Sequence, residues 1–176
     1  MFFKKKIIGS KLYLKPLDRR DASKKYLNWL NNSQITQFLE VRINPPKKIK
    51  DLESFILSHK NSKNSILFGI YINKRKLIGT IKIDNINNYH QFANIGIMIG
   101  DVNFHHKGYG WEAINLISNY AKENLLLRKL YAGCYGSNIA SLKTFHKAKF
   151  NVVSRIEDYW INNNSKDSNI TLMKDI

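Results

Sequence analysis

Ile97-Met98-Ile99-Gly100-Asp101-Val102-Asn103-Phe104-His105-His106-Lys107-Gly108-Tyr109-Gly110-Trp111-Glu112-Ala113 is the stretch that decides the fold. An apolar run ends at Ile99, a polar loop follows, and two glycines flank Tyr109. Trp111, Ile114, Ile117 and Ala121 then recur at helical spacing, so a strand, a loop and a helix opening at about Gly108 are predicted. The start of a helix bares N–H groups that have no partner within it, and the aligned peptide dipoles add partial positive charge. Glycine lets the chain approach an anion with no Cβ in the way, and Lys107 adds a full charge nearby. Lys107-Gly108-Tyr109-Gly110 therefore suits a phosphate or pyrophosphate. The alternative for this stretch alone is a glycine-rich helix entry with no ligand.

Working outward, Ile66 to Ile72, Leu77 to Ile83 and Phe92 to Ile99 read as three strands. The first link between them is Asn73-Lys74-Arg75-Lys76, the second a looser turn from Ile86 to His90, and links so short imply antiparallel neighbours. Upstream, Lys11 to Lys15 alternates as a strand. Asp18 is a plausible cap for a helix with Ala22, Tyr26, Trp29 and Leu30 on one face. A second short helix is expected from Ile35 to Glu40, and Asn44-Pro45-Pro46 breaks the chain before Ile49, Leu52, Ile56 and His59 repeat at helical spacing. Downstream come a strand from Lys129 to Cys134 and a helix after Asn138 carrying Ile139, Leu142 and Phe145. Strands at about Phe150–Glu157 and Ile170–Lys174 close the chain. The order predicts one α+β domain over 1–176, with a mixed, mostly antiparallel sheet flanked by helices.

The 176 residues carry 29 basic and 13 acidic side chains, a net charge of +16. Lysine supplies 23 of the basic residues, and the longest run is only Lys4-Lys5-Lys6. Specific nucleic-acid interfaces favour Arg forks and stacked aromatics, so the charge reads first as the compositional drift that A/T-rich codons produce and second as attraction of anionic small molecules, and no nucleic-acid partner is expected. No run approaches the ~18 apolar residues of a membrane span, and Met1-Phe2-Phe3-Lys4-Lys5-Lys6-Ile7-Ile8 lacks the apolar region of a signal peptide. A cytoplasmic protein without membrane association is expected. One cysteine, Cys134, leaves no internal disulfide and no cysteine-based zinc site. His105-His106 is no metal pair, because adjacent side chains point apart and no carboxylate is spaced with them.

Gly108-x-Gly110-x-x-Ala113 also fits the spacing of a dinucleotide fingerprint, but not its context. Eight residues separate Ile99 from Gly108, and no Asp or Glu occurs between Glu123 and Glu157 to meet a ribose roughly 20 positions on. No Gly-x-x-x-x-Gly-Lys-Ser/Thr exists either, which excludes a Walker loop.

From about Lys11 to Lys174 the chain resembles the GCN5-related N-acetyltransferases (GNAT), in particular the branch of ribosomal-protein N-terminal acetyltransferases. The resemblance is carried by Ile95-Gly96-Ile97-Met98-Ile99-Gly100-Asp101, by HHKGYGWEAI, by NIASLKTFHKAKF from Asn138 to Phe150, and by the front end YLNWLNNSQITQFLE. It implies splayed strands forming a groove for acetyl-CoA, with backbone groups from His105, His106, Lys107, Gly108, Tyr109, Gly110 and Trp111 at its pyrophosphate. Ile97, Met98 and Ile99 would offer strand-edge groups to the pantetheine arm. Asn138 would contact that arm too, with Ser141, Phe145 and Lys147 toward the thioester or the adenine. No metal is implied, since the thioester is already activated and fixed dipoles can carry the oxyanion.

The chain departs from this pattern in places. His105 stands where relatives have Gln or Arg, and Lys149 where a glycine usually precedes Phe150. Phe145 replaces a tyrosine that protonates the departing thiolate, which leaves Ser141 as the substitute. Asn94 replaces a glutamate that deprotonates the amine. His90, an imidazole in the turn leading into the strand of Asn94, is then the first candidate base and Glu40 the second. Trp29, Phe38, Glu40 and His90 are assigned to the acceptor, although Tyr26, Trp29 and Trp111 also fit core packing and Cys134 reads as a small core residue. Trp160 is expected in the turn between the last two strands. The resemblance permits two acceptors for an acetyl-CoA-dependent N-acetyltransferase acting in a ternary complex. One is a nucleotide-linked amino sugar, preferred because it is anionic, and the other a protein N-terminus. A non-catalytic acyl-CoA sensor is the alternative from another class. A monomer or homodimer is expected.

Overall fold

The computed structural model describes residues 6–73, 75–162 and 165–176, with Asn162 described by its backbone alone. Lys4, Lys5 and Lys74, singled out in the sequence, lie outside the described residues. Eight strands form one sheet: β1 (Ile7–Ile8), β2 (Tyr13–Pro16), β3 (Ile66–Ile72), β4 (Lys76–Asn87), β5 (Phe92–Ile99), β6 (Lys129–Tyr135), β7 (Asn151–Asn162) and β8 (Ser165–Asp175). Their spatial order is β1-β2-β3-β4-β5-β6-β8-β7, and every pair is antiparallel except β5 with β6. Five helices accompany them: α1 (Lys24–Leu30), α2 (Ser33–Thr36), α3 (Ile49–Lys60), α4 (Tyr109–Leu125) and α5 (Ile139–Lys147).

The continuous apolar run of β3 follows from burial on both faces. Phe68, Ile70 and Ile72 enter a core shared with Ala113, Ile114, Ile117 and Ala121 of α4. Leu67 and Tyr71 enter a second core with Tyr26, Trp29 and Leu30 of α1 and Leu52 and Ile56 of α3. Alternation divides β5 in the same way, sending Ile95 to the first core and Met98 to the second. Met98 therefore faces the side on which α1 to α3 lie.

Several boundaries differ from the sequence reading for local reasons. Asp18 does cap, but the product is a single 3-10 turn, Arg19–Asp21, closed by Asp21 reaching back to the Asp18 N–H at 2.8 Å. Ser23 then starts α1 by accepting from Tyr26 N at 3.2 Å. Asn32 fixes the start of α2 two residues before the expected Ile35, and Glu40–Arg42 forms a separate 3-10 turn. Pairing with β8 carries β7 as far as Asn162, so Trp160 lies opposite Asp167 within the strand and not in a turn. Lys149 does take the left-handed conformation of the glycine it replaces, with φ 68°. Its N–H bonds to His146 O at 2.9 Å and Phe150 N–H to Phe145 O at 3.0 Å, which closes α5.

Candidate active site

The one parallel pair in the sheet is also its weak point. β5 and β6 pair only at Phe92↔Lys129, Ala93↔Leu130 and Asn94↔Tyr131. Beyond Asn94 the two strands part, β5 staying with β4 and β6 with β8. The split opens into a cavity of about 770 Å³. Gly96, Ile97 and Met98 border it on one side, and Gly133, Cys134 and Tyr135 on the other. Tyr26, Leu30 and Thr80 also line it, and the segment from Phe38 to Val41, together with Asn44 to Lys47, closes over it. Burial pushes the Tyr26 hydroxyl up to about 12, a bond with Thr80 opposing the rise, so Tyr26 stays a neutral wall at physiological pH.

At one end of the split lies the glycine loop. Asp101 Oδ1 accepts from Asn103 N at 3.2 Å and starts a 3-10 turn, Val102–Phe104. His105 then turns its ring inward, and its Nε2 donates to Ile99 O at 2.8 Å, which puts a hydrogen on that nitrogen. That contact ties the loop to the end of β5 and gives His105 and Ile99 a shared structural task. His106 and Gly108 both take left-handed backbone, at φ 57° and 85°. Glu112 N–H to Gly108 O is the first bond of α4, so the N–H groups of Gly108, Tyr109, Gly110 and Trp111 precede the helical ladder. A Cβ on Gly108 would meet nothing within 4 Å, so glycine is needed there for its φ angle. Among the described residues no three His, Cys, Asp or Glu gather in a metal-binding group.

Across the split, Asn138 caps α5, its Oδ1 accepting from Ser141 N at 3.1 Å, which leaves its amide NH₂ as a donor. Ser141 Oγ lies 3.3 Å from Cys134 Sγ, and burial pushes that thiol up despite this contact. Cys134 is thus a small buried residue as expected, and a wall of the cavity as well. Lys147 and Trp111 meet beside this end: Trp111 Nε1 donates to Lys147 O at 3.2 Å, and the ammonium lies 5.1 Å from the indole centroid. Trp111 is 37% exposed, so it is not core.

The part of the cavity under the 3-10 turn Glu40–Arg42 is organised by Tyr135, which the sequence reading missed. Its Oη donates to Glu40 Oε1 at 2.9 Å and accepts from Arg42 Nη1 at 2.9 Å. Trp160 stacks on its ring at 5.1 Å, and Phe38 leans on it at 5.7 Å. Burial, helped by Glu40 and opposed by Arg42, raises the phenol, so Tyr135 remains a donor at neutral pH. Only its place at a strand end before Gly136 could have drawn notice. Thr80 and Lys82 were missed as well, being interior positions of an ordinary strand.

Three expectations are corrected. His90 stays in the hairpin between β4 and β5, exposed, stacked on Phe92 and outside the cavity lining. Trp29 packs flat on Gly100, where a Cβ would fall 2.2 Å from its ring, and is core rather than acceptor wall. Phe145 is 2% exposed and meets Phe150 edge-on, so it offers almost no surface to a ligand. Phe38 and Glu40 both line the cavity.

Residues 11–151 match the model of the acetyltransferase (GNAT) domain. The chain belongs to the GNAT acetyltransferase family and is an acyltransferase, an N-acetyltransferase of the GNAT type. It is 28% identical over 148 residues to the "Probable N-acetyltransferase YjcK" of Bacillus subtilis, covering 81% of each chain. Its fold is that of spermidine N-acetyltransferase from Vibrio cholerae, solved with CoA and spermine. That match has a TM-score of 0.84 at 22% identity and covers 94% of this chain and 96% of the other. The microcin C7 self-immunity acetyltransferase MccE, solved with acetyl-CoA and AMP, matches at a TM-score of 0.80 and 21% identity, over 96% and 94%. Among the described residues no helix is long and apolar enough to cross a membrane.

Proposed function

We propose that the protein transfers the acetyl group of acetyl-CoA to the primary amine of a small molecule bound in the cavity between β5 and β6. The donor side fits the residues present. The N–H groups from Gly108 to Trp111 form an anion seat for the diphosphate, and Lys107 adds charge. On the parted side of β5, Ile97 and Met98 offer edge groups to the amide-bearing arm, and Asn138 offers its NH₂ from across the split.

Glu40 is the base in this reading. Tyr135 occupies its Oε1, and Oε2 takes the proton of the ammonium as the neutral nitrogen attacks the carbonyl carbon. An N–H of the β5 edge near Met98 steadies the oxygen as charge builds on it. The nitrogen of the tetrahedral adduct gives up its second proton to solvent as the C–S bond breaks, and the sulfur takes a proton relayed from solvent through the Ser141 hydroxyl.

The acceptor is a primary amine on a flat or apolar body. What supports this is the wall of Phe38, Tyr135 and Trp160, with Lys47 and Lys82 set against Glu40 and Asp51 on the same cavity. Carboxylates here do not outnumber ammonium groups, as a polycationic acceptor would require. The nucleotide-linked amino sugar expected from the sequence is the finer form of this reading, although the acceptors named for the similar proteins lend it no support. Release of CoA thiol should be followed with three amines: a nucleotide-linked amino sugar, spermidine and a peptide beginning with serine. The amino sugar is expected to give the highest kcat/KM. Turnover of spermidine or the peptide alone overturns the acceptor assignment.

A further inference from the structure

The closed end of the split carries no side chains on its cavity face. Asn94↔Tyr131 is the last position at which β5 and β6 pair. Side chains alternate faces along a strand, so two residues further on the next groups on that face belong to Gly96 and Gly133, and both border the cavity. Nothing within the protein requires glycine at either place. A Cβ on Gly96 would meet nothing within 4 Å, and one on Gly133 only Asn169 Oδ1 at 4.0 Å. Among the described residues Gly108 is the one glycine with positive φ. Gly79 and Gly100 differ, since a Cβ on either would fall 2.2 Å from a neighbour. Glycine weakens a strand interior, and where packing does not explain it, it marks a place that a ligand approaches closely.

A cation flanks this bare floor. Lys82 of β4 lies directly opposite Gly96 on one side and Leu67 on the other. It is the one charged residue from Leu77 to Ile83, and it lines the cavity. Asp84, two residues on and so on the same face, holds the Lys82 ammonium at 2.5 Å. That contact leaves two of the three N–H donors for a ligand. It also restrains a long side chain in advance, so a ligand that meets the ammonium need not order it.

We propose that Gly96, Gly133 and Lys82 form a slot for an anionic group of the acceptor, a carboxylate or a phosphate. The inference rests on the acceptor reading above and narrows it. In that reading the amine reacts beside Met98 and Tyr135, which line the cavity two residues further along β5 and β6. Strands rise about 3.3 Å per residue, so the slot and the reacting nitrogen are about 6–7 Å apart. The acceptor is thus an amine that carries its negative charge at about that distance from the nitrogen. Lys82 supplies the charge that selects it, and Gly96 the room.

Calorimetry on the full chain loaded with CoA tests the slot through binding alone. The probes are two matched pairs: 5-aminopentanoate with pentylamine, and 3-aminopropyl phosphate with 3-aminopropanol. At least one anionic amine is expected to bind about tenfold or more tightly than its partner, and the one that does so identifies the group as carboxylate or phosphate. Lys82→Met should bring that pair to equal affinity, whereas Lys82→Arg, which keeps the charge, should retain the preference. Gly96→Ala should weaken the anionic amine about fivefold or more with a melting temperature no lower than wild type, because the added Cβ meets no protein atom. Undetectable binding of both anionic amines, equal affinity within both pairs, a preference that persists in Lys82→Met, or a Gly96→Ala variant that binds as wild type does overturns the slot. Release of CoA thiol from acetyl-CoA with the same amines reports on transfer separately. Selective binding without turnover overturns the acetyl-transfer reading and leaves the slot standing.

Discussion

Tyr135 Oη donates a 2.9 Å hydrogen bond to Glu40 Oε1 across 95 positions of sequence, joining the end of β6 to the 3-10 turn that covers the cavity. Arg42, from that same turn, donates to the same hydroxyl and reaches on to Ile161 O. The phenol thus fixes a carboxylate, the covering segment and β7 at one point. A carboxylate with one oxygen held presents the other in a defined direction, which is what proton transfer from an amine requires.

Glu40→Gln should therefore lower kcat about 100-fold with the KM for acetyl-CoA unchanged. Tyr135→Phe keeps the stacking on Trp160 and removes only the hydrogen bond, so kcat/KM for the acceptor should fall about tenfold. His90→Ala should leave both constants unchanged, because His90 lies outside the cavity lining. Steady-state release of CoA thiol checks all three.

Two left-handed residues have opposite expectations. Gly108→Ala forces a Cβ into φ 85° at a cost of about 1 kcal/mol, and calorimetry should show weaker acetyl-CoA binding. Lys149→Gly relieves φ 68° at the end of α5 and should gain up to about 1 kcal/mol. In thermal melts these become shifts of about 2–4 °C, downward for the first and upward for the second.

Phe145→Tyr introduces the residue that the family resemblance leads one to expect there, yet it should not supply an acid. The ring lies in the main core 5.2 Å from Phe150. An added hydroxyl there should cost about 1–3 kcal/mol, seen as a lower urea midpoint, with no gain in kcat.

Asp101 couples the glycine loop to pH. Burial alone would raise its carboxyl, but hydrogen bonds from Lys25 and Asn103 outweigh that and hold it below the usual carboxylate value. A folded-state value below the unfolded one means stability that is fully present above about pH 3.9 and lost as pH falls through the lower folded value. Asp101→Asn should flatten this acid limb of the urea midpoint and cost about 1 kcal/mol at neutral pH through the weakened cap.

The sequence by itself determined the parts whose cause is local. Apolar alternation, glycine φ preference and the polar residue at Asn138 fixed most of the strands, the loop at Gly108 and the starts of α4 and α5. The motifs from Ile95 to Asp101 and from Asn138 to Phe150 carried the family. Only the tertiary structure decided what depends on chains meeting at a distance. The split of β5 from β6 after Asn94 follows from each strand keeping its other neighbour. Trp29 is core because Gly100 leaves room for its ring, and Phe145 because α5 turns it onto Phe150. Glu40 and Tyr135 become partners through the sheet, since no local pattern relates residues 95 positions apart.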